Sequence, residues 1–183
     1  TALYAGGGFT AAGGAPIGRL ARWDGANWSA VPGEPDNTVL SLGVYDDGGG
    51  AELVLSGFFA NAGGAPAAGL AKWDGASWSD LGSGLAFNRY VDALGVLDHG
   101  SGPVLYAGGN FTSISGVAAR YLARWDGAAW SSVPAEPDLY ANSFCAYDDG
   151  TGAGPRWFVG GSWQFVGAQF LPAIASFDGA QWT

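Results

Sequence analysis

Short apolar runs separated by glycine- and aspartate-rich turns follow one another along the whole chain. Runs such as Val39–Tyr45 and Leu105–Phe111 are rich in Leu, Val, Tyr and Phe and are bounded by turn residues. Residues of these types favour strands, and turn residues end them. No segment keeps the helical period of about 3.6 residues over several turns. The pattern therefore predicts an all-β protein with almost no helix.

Three sequence markers recur in the same order along the chain. An aromatic-Asp-Gly-x-x-Trp motif begins at Trp23, Trp73, Trp125 and Phe177, at intervals of 50, 52 and 52 residues. A glycine-rich marker spans 6–9, 56–59, 108–111 and 160–163. An apolar run that ends in an acidic glycine turn spans 42–48, 94–100 and 144–150. A fixed period of this length indicates a repeat architecture.

Each repeat is predicted to form four short strands. Examples in strand order are Val39–Tyr45, Leu105–Phe111, Tyr121–Trp125 and Trp130–Val133. Asp-Gly between two apolar runs favours a hairpin, because Gly adopts positive φ without steric cost. Within a single domain over 1–183, the predicted copies are 1–36, 37–88, 89–138 and 139–183. The first copy begins at its second strand.

Four antiparallel strands repeated about every 40 to 50 residues are typical of β-propeller blades. The glycine doublet, the aromatic-Asp-Gly turn and the following Trp resemble the Kelch-like repeats of galactose-oxidase-type β-propellers. They are especially similar to the glycine-rich Trp-Asp-Gly repeats of large exported bacterial proteins. The resemblance covers essentially the whole chain and implies four four-stranded blades, the first without its first strand. It implies no function, because propellers include enzymes, receptors and scaffolds.

The incomplete first repeat leaves three ways to complete a ring. The chain could be part of a larger propeller of about six to eight blades. It could close by itself as a four-bladed ring with one three-stranded blade. Two chains could also associate into one ring. An open arc would expose a sheet edge and an apolar blade face, which favours association.

The charge balance restricts the partners. The formal net charge is −9, with 7 Lys and Arg against 16 Asp and Glu. Nucleic acids and anionic membrane surfaces require a basic patch, so neither is expected as a partner. No apolar run approaches the ~20 residues of a membrane helix. A single Cys fits either a reducing cytoplasm or an exported bacterial protein without disulfides. Few Lys and abundant Asp, Gly and Trp favour an extracellular or cell-surface protein.

Tryptophan and glycine both recur at fixed repeat positions. Most Trp residues flank an Asp-Gly turn, so we expect packing between blades, with stacking on a sugar as the alternative. The glycines at 6–8 are followed by neither a helix nor a Lys, so they form no phosphate-binding loop. We expect them to permit close approach of neighbouring blades. Cys145 aligns with Gly43 and Gly95 and is expected to be a buried, inert thiol.

The acidic turns raise the question of a metal. Ca²⁺ prefers about six to eight oxygen ligands, and the weak candidates are Asp46, Asp47, Asp148 and Asp149. Hairpin turns are the alternative interpretation, since the spacing matches no EF-hand loop. His99 replaces an Asp in one copy, which argues against a repeated metal site. No cofactor is therefore predicted.

The sequence contains few residues that could act as catalysts. His99 is the only His, so the copper site of galactose oxidase, which needs several ligands of that kind, is excluded. A glycosidase-like carboxylate pair stays open. Its candidates are Glu34, Asp36, Glu136 and Asp138, which recur at matching positions in two copies. This recurrence favours a role in loop structure over a unique catalytic pair.

One end of the predicted blades carries the variable loops. The uniform Asp-Asp-Gly and Trp-Asp-Gly turns lie at the other end. Because loops on a rigid scaffold concentrate function, the candidate ligand-binding residues are Phe87, Asn88, Arg89, Tyr90, Tyr140 and Phe170. The predicted function is a non-catalytic binding or scaffolding module of an exported bacterial protein, with a protein or glycan partner or self-association that closes a ring. The alternative is a carbohydrate-active role, as a lectin or a glycosidase fragment.

Overall fold

The computed structural model describes residues 2–82, 84–85, 89–98, 100–148, 150 and 156–183. All regular elements within these ranges are β-strands, and none of the described residues lies in a helix. The predicted all-β class is therefore confirmed. Three sequence candidates, Phe87, Asn88 and Asp149, lie outside the described residues, as does His99.

Twenty strands follow one another along the described part of the chain. They are β1 (Leu3–Gly6), β2 (Leu20–Trp23), β3 (Trp28–Ala30), β4 (Val39–Tyr45), β5 (Glu52–Gly57), β6 (Asn61–Ala62), β7 (Ala65–Pro66), β8 (Leu70–Trp73), β9 (Trp78–Asp80), β10 (Tyr90–Asp98), β11 (Pro103–Asn110), β12 (Ser113–Ile114), β13 (Val117–Ala118), β14 (Leu122–Trp125), β15 (Trp130–Ser132), β16 (Ala141–Tyr147), β17 (Arg156–Gly161), β18 (Phe165–Val166), β19 (Gln169–Phe170) and β20 (Ile174–Phe177).

These strands form four antiparallel sheets and three short hairpins. Sheet 1 has the order β1-β2-β3, sheet 2 β4-β5-β8-β9, sheet 3 β10-β11-β14-β15 and sheet 4 β16-β17-β20. In sheet 4 a bridge between Phe177 and Trp182 stands where β9 and β15 lie in sheets 2 and 3. The hairpins β6–β7, β12–β13 and β18–β19 connect the second and third strands of sheets 2, 3 and 4. The sequence pattern did not predict them, because each contains only two-residue strands.

The first strands of sheets 2, 3 and 4 each contain a β-bulge near their start. The register shifts between Val39 and Ser41, between Val91 and Ala93, and between Ala141 and Ser143. The extra residues are thus Leu40, Asp92 and Asn142. A bulge adds one residue opposite its partner strand and bends the strand. The bulge recurs in three copies, so the first strand begins with the same backbone geometry in each of these sheets.

Neighbouring sheets pack face to face, and alternate residues of a strand face opposite neighbours. In β11, Leu105 belongs to the core between sheets 2 and 3, whereas Tyr106 belongs to the core between sheets 3 and 4. Burial raises the pKa of Tyr106 to about 12. A Cβ at Gly108 would lie 2.6 Å from the Ala141 carbonyl oxygen of sheet 4. The predicted close approach at the first glycine of the doublet is confirmed.

The two aromatic residues of the Asp-Gly motif make contacts between neighbouring sheets. The first is buried in the last three copies, at Trp73, Trp125 and Phe177. The second donates its indole N–H to a backbone carbonyl that follows the preceding sheet, and these bonds are Trp78 to Pro32 (2.7 Å), Trp130 to Leu81 (2.7 Å) and Trp182 to Pro134 (3.0 Å). The packing interpretation of these residues is confirmed.

The outer face of sheet 4 is apolar and exposed. It carries Tyr147, Phe158 and Ile174, of which Ile174 is 63% exposed. Cys145 lies on this face and is exposed, so the predicted buried thiol is wrong. Its counterpart Gly95 is covered, since a Cβ there would lie 2.9 Å from the Trp157 ring. A residue at this repeat position is covered only when another sheet packs on it.

The Asp-Gly turns are closed by their own carboxylates. Asp74 Oδ1 accepts hydrogen bonds from the backbone N–H groups of Ala76 and Ser77, both at 2.7 Å. Gly75 follows with φ 100°, a conformation that Gly adopts without steric cost. The corresponding aspartates at 24, 126 and 178 accept the same two bonds. These local bonds make the turn uniform in all four copies.

Acid is expected to destabilise the fold through these turns. Backbone hydrogen bonds, first from Asn27, Ser77 and Ala129, lower the pKa of Asp24, Asp74 and Asp126 below the usual value. A lowered pKa in the folded state adds stability above the unfolded pKa of about 3.9, and this stability is lost as the pH falls further. We expect the melting temperature, measured by circular dichroism, to be level near neutrality and to fall below about pH 4. Constant stability down to pH 3 would contradict this role.

Candidate functional site

Linkers at one end of the sheets are fixed by the short hairpins. The linkers are residues 31–38, 81–89 and 133–140, and each leads into the first strand of the next sheet. Hairpin N–H groups donate to linker carbonyls, with the bonds Gly63 to Gly33 (2.7 Å), Ser115 to Gly84 (2.9 Å) and Gly167 to Glu136 (3.0 Å). The same kind of bond is thus repeated among the described residues of this end, which we call the loop end.

Two candidate catalytic aspartates hold hairpins at the loop end. Asp36 accepts hydrogen bonds from the Ala60 N–H (2.9 Å) and the Asn61 side-chain amide (2.7 Å). Burial alone would raise the pKa of Asp36, but these hydrogen bonds outweigh it, and the pKa is lowered. Asp138 accepts bonds from the Gln164 N–H (3.0 Å) and the Phe165 N–H (3.2 Å). Both carboxylates have the same structural task in their copies.

The two candidate glutamates lie against the preceding sheet. Glu136 Oε1 accepts a hydrogen bond from the Arg120 N–H at 2.9 Å. At the matching position, the Glu34 carboxylate fills the space beside Gly18, where a Cβ would lie 2.2 Å from Glu34 Oε1. Both glutamates therefore lie at the same place against the preceding sheet, and the described hydrogen bond to that sheet is made by Glu136.

Aromatic side chains gather at the loop end where sheets 2, 3 and 4 meet. Phe58 follows β5, and its ring lies edge-on to Tyr90 of sheet 3, with centroids 5.4 Å apart. Tyr121 precedes β14, and its ring lies edge-on to Tyr140, with centroids 5.3 Å apart. Phe58 is 52% exposed, and the three tyrosines are half-buried. We call these four residues, together with Arg89 and Asn110, the rim.

Polar groups complete the rim. Arg89 Nη1 donates to Asn110 Oδ1 at 3.0 Å, and both residues lie next to Tyr90 through the strand register. Gly109 connects the two aromatic pairs, because its N–H donates to the Tyr121 carbonyl. On its other side, the Tyr90 carbonyl lies 2.4 Å from where a Cβ would be. The Arg89 cation, the Asn110 amide and the partly exposed aromatic rings therefore lie together along the loop end.

Tyr121 adopts an unusual backbone conformation. Its φ is 65°, in the left-handed region, which costs roughly 1–2 kcal/mol for a residue with a side chain. The matching residues are Gly69 in sheet 2, with φ 83°, and Ala173 in sheet 4, with φ 65°. The left-handed conformation therefore belongs to the repeat, and only the large side chain is particular to sheet 3.

A half-buried carboxyl group lies in the bulge beside the rim. The Asp92 N–H nitrogen is 2.8 Å from the Cβ position of Gly109. Burial raises the pKa of the Asp92 carboxyl. No hydrogen bond to this carboxyl is found among the described residues. The corresponding residues of the other bulges are Leu40 and Asn142, so the charge is specific to sheet 3.

The rim contains three sequence candidates and excludes a fourth. Arg89, Tyr90 and Tyr140 belong to it, although the structure describes no direct contact between Tyr90 and Tyr140. Phe170 lies in the hairpin of sheet 4, 64% exposed, and its ring packs edge-on against Phe165 at 5.4 Å.

Sequence reasoning missed Phe58, Asn110 and Tyr121 as site residues. Phe58 and Asn110 stand at one repeat position, with Gly8 and Ser162 in the other copies. Tyr121 stands where sheet 2 has Gly69. A comparison of the copies at the residues that flank the glycine doublet would have found the substitutions.

The described aspartates of the predicted calcium turns bond to their own loops. Asp46 Oδ1 accepts hydrogen bonds from the Gly48 and Gly50 N–H groups, and Asp47 and Asp148 each accept one from the residue two positions on. The described residues contain no group of three or more His, Cys, Asp or Glu placed to hold a metal ion.

In the described part of the chain, no helix has the length and apolar character that a membrane span requires.

No protein-family model, curated protein or solved structure matches the chain. The function of the candidate site is therefore inferred from the geometry and the chemistry of the rim residues.

Proposed function

We propose that the four sheets are consecutive blades of a Kelch-like β-propeller, and that the chain is a non-catalytic binding module of an exported bacterial protein. The repeated junctions between sheets support the blade assignment. In each junction a Trp indole bonds to the preceding linker, and the first strands of successive sheets lie together. A backbone N–H of Leu94 in β10, for example, donates to the Ser41 hydroxyl of β4 at 3.0 Å.

The rim is the observation that carries the binding role. Four aromatic rings, partly exposed, lie at an ordered end of the sheets with one cation and one amide. Tyr121 places a large aromatic ring where sheets 2 and 4 have Gly69 and Ala173 in similar backbone conformations. The ring is therefore an addition to the repeat at the rim.

The carboxylates support a role without catalysis. Asp36, Asp138 and Glu136 accept hydrogen bonds from backbone N–H groups. Glu34 occupies the position that matches Glu136. A general acid or nucleophile must reach a substrate, whereas Asp36, Asp138 and Glu136 hold linkers and hairpins through these bonds.

A carbohydrate is the ligand that the rim favours. Tyr and Phe faces offer apolar area to a sugar ring, and Tyr hydroxyls, Arg89 and Asn110 offer hydrogen bonds to its hydroxyl groups. Polar groups that fix orientation beside aromatic walls are typical of small-ligand sites. This lectin-like role is the form of the binding function that the geometry supports best.

Glycan binding tests this function. We expect the protein to bind a subset of glycans on an array and expect Tyr90→Ala to weaken that binding by about tenfold or more, a loss of ~1.4 kcal/mol. The loss follows from removal of the ring that faces both Phe58 and the ligand. Titration calorimetry with the best glycan then measures the affinity of each variant.

The matched control is Tyr147→Ala, which removes a 59% exposed Tyr from the outer face of sheet 4. It should leave glycan affinity unchanged. An array without any bound glycan, or equal losses in both variants, would argue against the lectin role. Glycan hydrolysis that disappears in Glu136→Gln would instead show a glycosidase.

A further inference from the structure

Two exposed arginines lie at the loop end of sheet 3. Arg89 directly precedes Tyr90, and Arg120 directly precedes Tyr121. The residues at the same two repeat positions of the other copies are all uncharged. They are Asn37 and Leu139 at the position of Arg89, and Gly18, Ala68 and Pro172 at the position of Arg120. Both cations are therefore additions to the repeat that are particular to sheet 3.

The backbone pairing of sheet 3 places the two arginines on either side of Asn110. On one side, Tyr90 pairs with Asn110 in the register of β10 and β11. On the other side, the Tyr121 N–H donates to the Phe111 carbonyl at 2.9 Å, and the Gly109 N–H donates to the Tyr121 carbonyl at 3.1 Å. Since neighbouring strands lie about 4.8 Å apart, the two Arg-Tyr segments are separated by roughly 10 Å. The Asn110 amide thus lies in a row between them.

Both guanidinium groups keep N–H donors for a ligand. A guanidinium has five such donors, and Arg89 uses one of them on Asn110 Oδ1, at 3.0 Å. The contact of Arg120 with Glu136 is made by its backbone N–H, at 2.9 Å. The half-buried Asp92 is the acidic residue nearest to Arg89 along this strand. The described residues form no ion pair between a carboxylate and either arginine.

The charge of these arginines indicates which sugars the rim selects. The chain has only 7 Lys and Arg against 16 Asp and Glu, yet two of the seven stand at this end of one sheet. The hydroxyl groups of a neutral sugar can bond to amides and hydroxyls as well as to cations. A carboxylate, by contrast, matches the planar fork of a guanidinium and forms shorter and stronger hydrogen bonds with it.

We propose that Arg89 and Arg120 make the rim selective for glycans that carry a carboxylate group. This selectivity rests on the proposed glycan-binding function and adds the class of sugar. The Tyr90 and Tyr121 rings contact the apolar faces of the sugars. The Asn110 amide bonds to sugar hydroxyl groups, and the guanidinium groups bind the carboxylates.

A glycan array with matched pairs tests the selectivity. It displays glycans that contain uronic acids, sialylated glycans and neutral glycans, and each acidic glycan is also present as its methyl ester. The ester keeps the rings and linkages and removes the charge. We expect the bound glycans to be acidic and their esters to bind about tenfold more weakly or less, the usual effect of losing a hydrogen bond between charged groups. The two acidic classes on the array distinguish uronic from sialic acids as the source of the carboxylate.

Arginine variants connect the selectivity to the site. Arg120→Gln and Arg89→Gln should each weaken binding of the best acidic glycan by about tenfold, measured by titration calorimetry. Both should leave the weak binding of its methyl ester nearly unchanged. The matched control is Arg156→Gln, which removes an exposed cation from the opposite end of sheet 4 and changes the net charge equally. It should alter neither affinity, and thermal melts verify that all variants stay folded.

The outcomes separate this inference from the binding function itself. Equal binding of acids and esters, or of acidic and neutral glycans, with a loss in Tyr90→Ala would overturn the selectivity and keep the lectin role. Equal losses in Arg120→Gln and Arg156→Gln would also overturn it, because they would show an effect of net charge alone. An array without any bound glycan would overturn both proposals.

Discussion

Trp157→Ala is expected to lower the free energy of unfolding by about 3–5 kcal/mol, the usual cost of truncating a buried aromatic residue. Trp157 is 1% exposed and lies between sheets 3 and 4. Its ring centroid is 4.4 Å from that of Tyr106 and 4.8 Å from that of Phe144. Its ring also covers Gly95, so the variant leaves a cavity that several rigid neighbours surround.

Urea denaturation followed by Trp fluorescence and circular dichroism measures this loss. The control is Phe158→Ala, the next residue of β17, which points to the outer face and is 37% exposed. Its cost should be well under half that of Trp157→Ala, because less apolar area leaves contact with the protein. Similar costs for both variants would mean that sheet 4 does not pack on sheet 3 through this face.

Gly109→Ala is expected to destabilise the protein by about 1–3 kcal/mol, as an overpacked site does. The new Cβ would lie 2.4 Å from the Tyr90 carbonyl oxygen and 2.8 Å from the Asp92 nitrogen. Both are backbone atoms of the bulged first strand, so that strand must move. Because Tyr90 and Asp92 adjoin the rim, glycan affinity should fall together with stability.

The equivalent glycine of sheet 1 provides the control. At Gly7 a Cβ would lie 3.1 Å from the Phe9 ring, and the nearest described atoms all belong to Phe9. Gly7→Ala should therefore cost little in the same denaturation experiment and leave glycan affinity unchanged. A Gly109→Ala variant as stable as Gly7→Ala would contradict the tight contact between the bulge and β11.

Strand positions could be predicted well from the sequence because they depend on local signals. The predicted first strand Val39–Tyr45 agrees with β4. The predicted second and third strands, Leu105–Phe111 and Tyr121–Trp125, differ from β11 and β14 by one or two residues at their ends. Tyr121 lies outside β14 because its positive φ interrupts the extended conformation, and residue type alone does not indicate this.

The candidate site could be predicted only in part. Arg89, Tyr90 and Tyr140 stood out as unusual loop residues, but their partners Asn110, Phe58 and Tyr121 are distant in the chain. Whether Tyr90 contacts Phe58 depends on how sheet 3 packs on sheet 2. The hydrogen bonds that hold the described linker residues to the hairpins depend on the same packing.

The repeat, the all-β class and the Asp-Gly turns could all be predicted from the sequence, because each depends on interactions within a few residues and recurs in every copy. Which copies of a repeated position are covered depends on how the sheets pack. Gly95 is covered by sheet 4, whereas Cys145 at the matching position is exposed. The covering sheet lies about fifty residues away in the chain, so equivalent residues of sheets 3 and 4 meet different neighbours.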